Sequence, residues 1–312
     1  MMNQMNPEAL AAELAKNPGY RVLRKLDAAS LFELDAVTTD KPAIGIILDV
    51  ETTGRDASAD KIIELGMVSF AYDPLTGAIL SALETFNQLE DPGMPIPEEA
   101  SRVNGITDEM VQGQRIDDEK VAQMVADADL VIAHNASFDR VFCEARFPHF
   151  RNKAWACSLQ QVGWESAGIR SGKLDYIAFC LGFFHDAHRA ENDCLALLKA
   201  LNTPMASLEG KRAFEELLDN YQKELRRIWA VNSPYGAKDL LKSRGYRWSD
   251  GVREDSEKAW WIEVPVEDFD AEMEWLHKNA FNGKAFSVPV DAVNAFNRFS
   301  DRRLSLERAY RG

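Results

Sequence analysis

The chain has 312 residues, of which 46% are hydrophobic and 28% charged, and a formal net charge of −14. That length suggests about two domains with real cores. The lack of an apolar run near 18 residues excludes a membrane span, and the acidic balance excludes a protein that coats nucleic acid. Residues 203–312 are close to neutral, so nearly all the negative charge sits in residues 1–202. Bound divalent cations would offset part of it. Met1 to Asn6 lacks the basic and apolar regions of a signal peptide. Cys143, Cys157, Cys180 and Cys194 form no C-x-x-C pair, which fits buried, reduced thiols in a cytoplasmic protein without zinc.

In chain order, Pro7 to Lys16 has a short helical pattern and Tyr20 to Arg24 alternates like an edge strand. Residues 35–42 are a polar lead-in. Ile44 to Leu48 is a short apolar run that reads as a buried strand. It ends in Asp49-Val50-Glu51-Thr52-Thr53-Gly54. Lys61 to Phe70 and Ile79 to Leu89 are further strands, separated by a turn at Asp73-Pro74-Leu75-Thr76-Gly77. Three strands with short links predict an antiparallel meander. After a Pro/Gly loop over 91–97, Thr107 and Asp108 can cap a helix. Leu130 to Ala133 and Ala154 to Cys157 are short buried strands. The first runs into His134-Asn135-Ala136-Ser137-Phe138-Asp139 and a helix. A loop from His185 leads to a helix ending near Leu201, with Cys194, Leu195, Leu198 and Leu201 as its apolar stripe. The prediction is an N-terminal extension over 1–41, then an α/β domain over 42–202 with a mixed sheet flanked by helices.

Residues 203–312 read as a small α+β accessory module, a helix–hairpin–helix. The pattern predicts a helix over Glu209–Ala230, a shorter one over Ala237–Lys242 and another over Phe269–Leu276. Gly245–Trp248 and Ala259–Val264 make the hairpin. Trp260 and Trp261 fall on opposite faces of their strand, so they do not fit one core. A small core built on tryptophan is the simpler reading, and the other ring is left to cover the first domain or to bind a partner or a base. Arg298, Arg302, Arg303, Arg308 and Arg311 make a basic tail.

Four acidic residues stand out. Asp49 and Glu51 are two apart on a strand and point to the same side. Asp139 and Asp193 fall in the first turns of helices, where the helix N-terminus favours a carboxylate. Such junctions are where sites on α/β sheets lie. If they converge on the end of the Asp49 strand, four carboxylates share a pocket that needs divalent cations. Two metals roughly 3.5–4 Å apart can activate a water and stabilise both oxygens of an in-line phosphoryl displacement. His188, five residues before Asp193, can act as base for that water. His185 competes at a different spacing. His134 reads as structural.

The chain resembles the DEDD exonucleases of the histidine subclass, which share a ribonuclease H-like fold. The likeness rests on three motifs in order. D-x-E-T-T-G stands at Asp49 to Gly54, H-N-x-x-F-D at His134 to Asp139, and H-R-A-x-x-D at His188 to Asp193. It covers residues from about 42 to 202. It implies a metal-dependent 3′→5′ exonuclease that releases nucleoside 5′-monophosphates. Asp49, Glu51, Asp139 and Asp193 would hold two divalent cations, Mg2+ with Mn2+ able to substitute, and His188 would be the base. Thr52 and Thr53 would contact the terminal nucleotide. Val103-Asn104-Gly105-Ile106-Thr107 matches the family's H-G-I-T segment, with Asn104 in the histidine position and Ile106 packing on the terminal base. The expected partner is single-stranded nucleic acid with a 3′ end, DNA slightly ahead of RNA. A second reading is a non-catalytic end-binding or adaptor protein that recognises its target through the tryptophan module. A homodimer or a protein partner at that module is left open.

Overall fold

Two five-stranded sheets organise the chain. The computed structural model describes residues 6–33, 39–205, 210–252, 256–302 and 306–311. Arg303 and part of the polar lead-in expected over 35–42 lie outside them. The chain begins with α1 (Pro7–Ala15) and a two-residue strand, β1 (Arg24–Lys25). Then β2 (Ala43–Thr52), β3 (Ile62–Tyr72) and β4 (Ile79–Leu89) form the expected antiparallel meander. Helices α2 (Glu98–Asn104), α3 (Asp108–Val111) and α4 (Asp118–Asp127) follow. Next come β5 (Leu130–Ala133), α5 (Ala136–Arg146), β6 (Ala154–Cys157) and α6 (Ser158–Gln161). The first body continues with α7 (Leu174–Leu181), β7 (Phe183–Phe184) and α8 (Ala190–Asn202). The edge strand expected at 20–24 reduces to β1, which pairs in parallel with β7.

The first sheet runs β4-β3-β2-β5-β6. β2 is antiparallel to β3 on one side and parallel to β5 on the other. It is therefore the strand at which the sheet changes direction, and the loops after β2 and β5 leave the sheet at the same edge. Strand alternation divides β2 between two cores. Ile46, Leu48 and Val50 pack with Val121 of α4 and Phe142 and Cys143 of α5. Ile47 packs with Cys194, Leu198 and Leu201 of α8. Asp49 and Glu51 continue the α8 side. All four cysteines are free thiols.

Gly66 stands opposite Asp49 in the β2–β3 ladder. A Cβ at Gly66 would collide with the backbone of Ala190 and Glu191. The missing side chain lets the first turn of α8 press onto the sheet beside Asp49.

Helix α9 (Ala213–Tyr221) also packs on this body. Its Phe214 ring meets Phe70 and Tyr72 edge-on, with centroids 5.5 and 5.1 Å away. The single helix expected over Glu209–Ala230 ends there, and the chain resumes as strand β8 (Leu225–Ala230). The apolar positions 217, 218, 221, 225 and 228 fit a helical stripe, but β8 is hydrogen-bonded on both sides, by neighbours far along the chain. Those neighbours decide the outcome, and sequence periodicity does not register them.

The rest is α10 (Lys238–Ser243), β9 (Arg247–Trp248), β10 (Trp260–Pro265), α11 (Phe269–Trp275), β11 (Phe286–Val293) and β12 (Leu306–Arg311). The expected hairpin is present as β9–β10. It is part of an antiparallel sheet ordered β12-β11-β8-β10-β9. Leu241 of α10 and Met273 of α11 pack on one face with Ile228, Val288 and Val290. Trp260 joins that core, whereas Trp261 lies on the other face against Trp229, 5.9 Å between centroids.

Arg298 and Arg302 of the basic tail turn inward, whereas Arg308 is exposed. Arg140 of α5 is fully buried. Its guanidinium donates to the carbonyls of Ala295, Phe296 and Arg298 at 3.3, 2.6 and 2.7 Å. It also meets Glu144 at 2.7 Å, and Glu144 accepts from Ser300 Oγ and Arg302. Trp155 N–H on edge strand β6 donates to the Ala295 carbonyl at 2.8 Å. The segment 295–302 thereby covers the open edge of the first sheet and braces α5.

The close approach at Gly66 gives a direct expectation. Gly66→Ala should force α8 away from β3 and lower stability by about 1–3 kcal/mol, as overpacking does. Urea unfolding followed by far-UV circular dichroism measures this. An unchanged midpoint would show that α8 does not bear on β3 there.

Candidate active site

The β2–β3 pairing is regular up to Glu51 and then shifts register before Thr52. One pair, Thr52 with Ile62, follows that irregularity before the ladder ends, so Asp49 and Glu51 lie near the end of the sheet. Asp139 and Asp193 arrive in the first turns of α5 and α8. Asp49, Glu51 and Asp193 each offer a carboxylate oxygen, and these lie within 4.8 Å of one another. Asp139 is 3% exposed, and its Oδ1 accepts from Val50 N–H at 3.3 Å. The structure thus brings the four predicted carboxylates to the end of β2.

Their protonation reflects the crowding. Burial raises Asp49 well above the usual carboxylate range, and the charges of Asp139, Asp193, Glu51 and Glu64 add to it. Burial, then the charge of Asp193, raises Glu51 to about 7, against a hydrogen bond from Asn104. Burial raises Asp139 to about 7, against hydrogen bonds from its own and the Val50 N–H. Crowded, hard oxygen donors with their protons held on are what a divalent cation displaces, so the residues fit such a metal.

The histidines divide. His134 Nε2 lies 2.6 Å from the Gly172 carbonyl and Nδ1 2.8 Å from Ser158 Oγ. Burial lowers its pKa. A neutral ring that donates to Gly172 and accepts from Ser158 satisfies both contacts, so His134 is structural, as expected. His185 Nε2 is 2.7 Å from Asp193 Oδ1, with its side chain 3% exposed. His188 reaches Asp193 through its backbone, N–H to Oδ2 at 3.0 Å. It adopts a left-handed φ of 62°, and the residue is exposed. The structure therefore places the ring of His185, not that of His188, on the carboxylate.

A family model for exonucleases of the RNase T type matches residues 46–201, half of the chain. The chain belongs to the exonuclease family. Among its relatives is DNA polymerase III subunit epsilon of Treponema pallidum. It is 29% identical over 171 residues, which is 51% of this chain and 74% of that protein. A PolC-type DNA polymerase III of Lacticaseibacillus paracasei is 35% identical over 185 residues, 56% of this chain but 12% of that protein. A structure of E. coli exonuclease I with single-stranded DNA and zinc shares the fold. Its TM-score is 0.50 and its identity 13%, over 76% of this chain and 71% of that one. Family and carboxylate cluster together make the protein a metal-dependent nuclease.

The expected nucleotide contacts of this exonuclease are engaged otherwise. Thr52 Oγ1 donates to the Gly54 carbonyl. Thr53 is 2% exposed, and its Oγ1 donates to Asp60 and accepts from Lys61 N–H, both at 3.0 Å. Both hydroxyls fasten the loop after β2. Asn104 is buried, accepts from Ile106 N–H at 3.0 Å and donates to Glu51. Ile106, expected against the terminal base, is fully buried with Ile63, Ile96 and Val111. As it stands it offers no surface to a base.

Sequence reading missed Glu64. It lies directly opposite Glu51 in the ladder and is fully buried. Arg189 holds it at 2.8 Å, and Asn87 and Ala190 N–H also donate to it. The signal was present, a lone charge inside the apolar run of β3.

The raised groups set a pH dependence for this exonuclease. Glu51 and Asp139 go from ordinary values of 4.5 and 3.8 to about 7 on folding. Folded, they hold protons more tightly. Their stabilising contribution is present below the ordinary values and is lost as pH rises through about 7. A cation replaces those protons. In chelator, Tm should fall across that window, and added Mg2+ should raise Tm more at pH 8 than at pH 5. Differential scanning calorimetry measures both. An equal Mg2+ shift at the two pH values would remove these carboxylates from the binding set.

Proposed function

We propose that this protein is a 3′→5′ exonuclease that hydrolyses single-stranded nucleic acid to nucleoside 5′-monophosphates. DNA is slightly favoured over RNA. The observation that carries this reading is the convergence of Asp49, Glu51 and Asp193 within 4.8 Å, with Asp139 buried beside them. The preference for DNA takes its support from relatives named as DNA polymerase III subunit epsilon and PolC-type DNA polymerase III.

In this reading Asp49, Glu51, Asp139 and Asp193 hold two divalent cations, Mg2+ with Mn2+ able to substitute. When bound, these supply Lewis acidity to the phosphate oxygens and to the attacking water. His188 takes the proton from that water. Its backbone is already tied to Asp193. An exposed ring changes rotamer within picoseconds to nanoseconds, so substrate binding need only turn this side chain inward. His185 is poorly suited to the role, because its Nε2 is already engaged by Asp193. Its task is to orient that carboxylate. Arg189, fixed on Glu64, sets where α8 begins.

The test is digestion of 5′-labelled DNA and RNA single strands of equal sequence, with Mg2+, with Mn2+ and with chelator. A metal-dependent ladder that shortens from the 3′ end is expected. Products that shorten from the 5′ end, or internal cuts, would overturn the direction. A folded protein that binds strands without cutting them would favour the adaptor reading.

Two substitutions separate the histidines. His188→Ala should lower kcat by about 10²–10⁴-fold, the usual worth of a general base. His185→Ala should weaken metal binding by about 10–100-fold, as loss of a residue that orients a ligand does. Single-turnover kinetics and calorimetric Mg2+ titration read the two effects. Full kcat in His188→Ala would refute its role as base.

A further inference from the structure

One face of the C-terminal sheet looks toward the exonuclease body across a cleft of about 680 Å3. The sheet side is built in register. Trp261 pairs with Trp229 on β8 and with Arg247 on β9, and Glu263 pairs with Arg227. Ser137 of α5 and Gln160 of α6 line the opposite side. Ser137 lies on α5, the helix that also carries Asp139. Trp229 is buried and donates to Asp291 at 2.7 Å. Trp261 in front of it is only half-buried. The guanidinium carbons of Arg227 and Arg247 lie 5.3 and 5.7 Å from its ring centre.

Arg298 also lines the cleft and is 5% exposed. Its Nε has no hydrogen-bond partner, and Glu263 Oε2 stands 4.0 Å away. A buried donor left unmet is costly, and a small turn of the Arg298 guanidinium, now held by the Lys223 carbonyl at 3.1 Å, toward an anionic oxygen in the cleft would meet it. In a chain of net charge −14, this cleft sets three guanidiniums against the carboxylates of Glu263 and Asp250. Guanidiniums beside an accessible indole suit a ligand with phosphates and unstacked bases. Duplex bases are already stacked on one another.

We propose that this cleft binds the single strand trailing behind the 3′ end, with Trp261 stacking on a base and Arg247 and Arg298 meeting its phosphates. Trp261, Arg247 and Arg298 lie outside the part of the chain that matches the exonuclease family, and the proposal rests on the exonuclease reading for the position of the 3′ end. It gives the enzyme a grip on strands too long for the carboxylate centre alone, and so a preference for longer single strands.

The test uses the full chain and 5′-fluorescein strands of about 3 and about 20 nucleotides, the first shorter than a typical single-strand site. Fluorescence anisotropy in chelator reads binding, and Mg2+-started reactions read cleavage. Trp261→Ala and Arg247→Glu should each weaken binding of the long strand by about ten-fold or more, the scale of one lost base stack. Both should leave cleavage of the short strand unchanged. Trp261→Phe should restore most of the long-strand affinity. Arg247 is exposed at a strand edge, so its variant remains informative if Trp261→Ala fails to fold. Long-strand binding unaltered by Arg247→Glu or by a folded Trp261→Ala, or equal losses on short and long strands, would overturn the proposal and assign the face to another partner. A protein that binds long strands through Trp261 and cleaves none would keep the cleft and remove the exonuclease reading. Cleavage with no dependence on length or on these variants would do the reverse.

Discussion

The structure depends on holding like charges together. Asp49, Glu51 and Asp193 present oxygens within 4.8 Å of one another. At an effective dielectric near 20, each ionised pair at that distance repels by roughly 3 kcal/mol or more. The helix N-termini behind Asp139 and Asp193 return about 0.3–1 kcal/mol each, up to ~2 where buried. That falls short of the repulsion, so without a cation the centre keeps protons. The fold supplies the restraint. Gly66 lets α8 close on β3, Asp139 is tied to the Val50 N–H, and Arg189 pairs with Glu64 and offsets part of the charge that this fifth acid adds.

Three histidines with equal intrinsic chemistry are given different work by their surroundings. His134 is buried with both ring nitrogens engaged and stays neutral. His185 is buried with one ring nitrogen on a carboxylate. His188 is fixed by its backbone and keeps its ring in solvent. What separates them is which end of the residue the fold holds.

Much of this was legible in the chain. The strands of the first sheet announce themselves as short apolar runs that break into polar residues where they leave the core. Asp49 and Glu51 sit at one such break and Asp139 and Asp193 in the first turns of helices, which is why their context singled them out and the three motifs assigned them. Other features depended on partners far along the sequence. Leu225 to Ala230 carries a helical stripe and becomes a strand because β10 and β11 bond both its edges. Ile106 looked available for a base until Ile63, Ile96 and Val111 enclosed it. Arg140 reads as an ordinary helix-surface residue, since nothing local reveals acceptors more than 150 positions away. Trp260 and Trp261 were separable by strand alternation, but the body that each would face was not.

The Arg140 contacts also impose an order in time. The helix that carries Asp139 is made early, yet the carbonyls that receive its neighbouring guanidinium are made 155 positions later. At ~5–20 residues per second, a ribosome needs roughly 8–31 s to reach them. Through that interval the first sheet has an uncovered edge at β6, and the Arg140 guanidinium has Glu144 on its own helix but none of the three carbonyls. The helix that carries Asp139 therefore gains this brace only after residues 295–302 have been made.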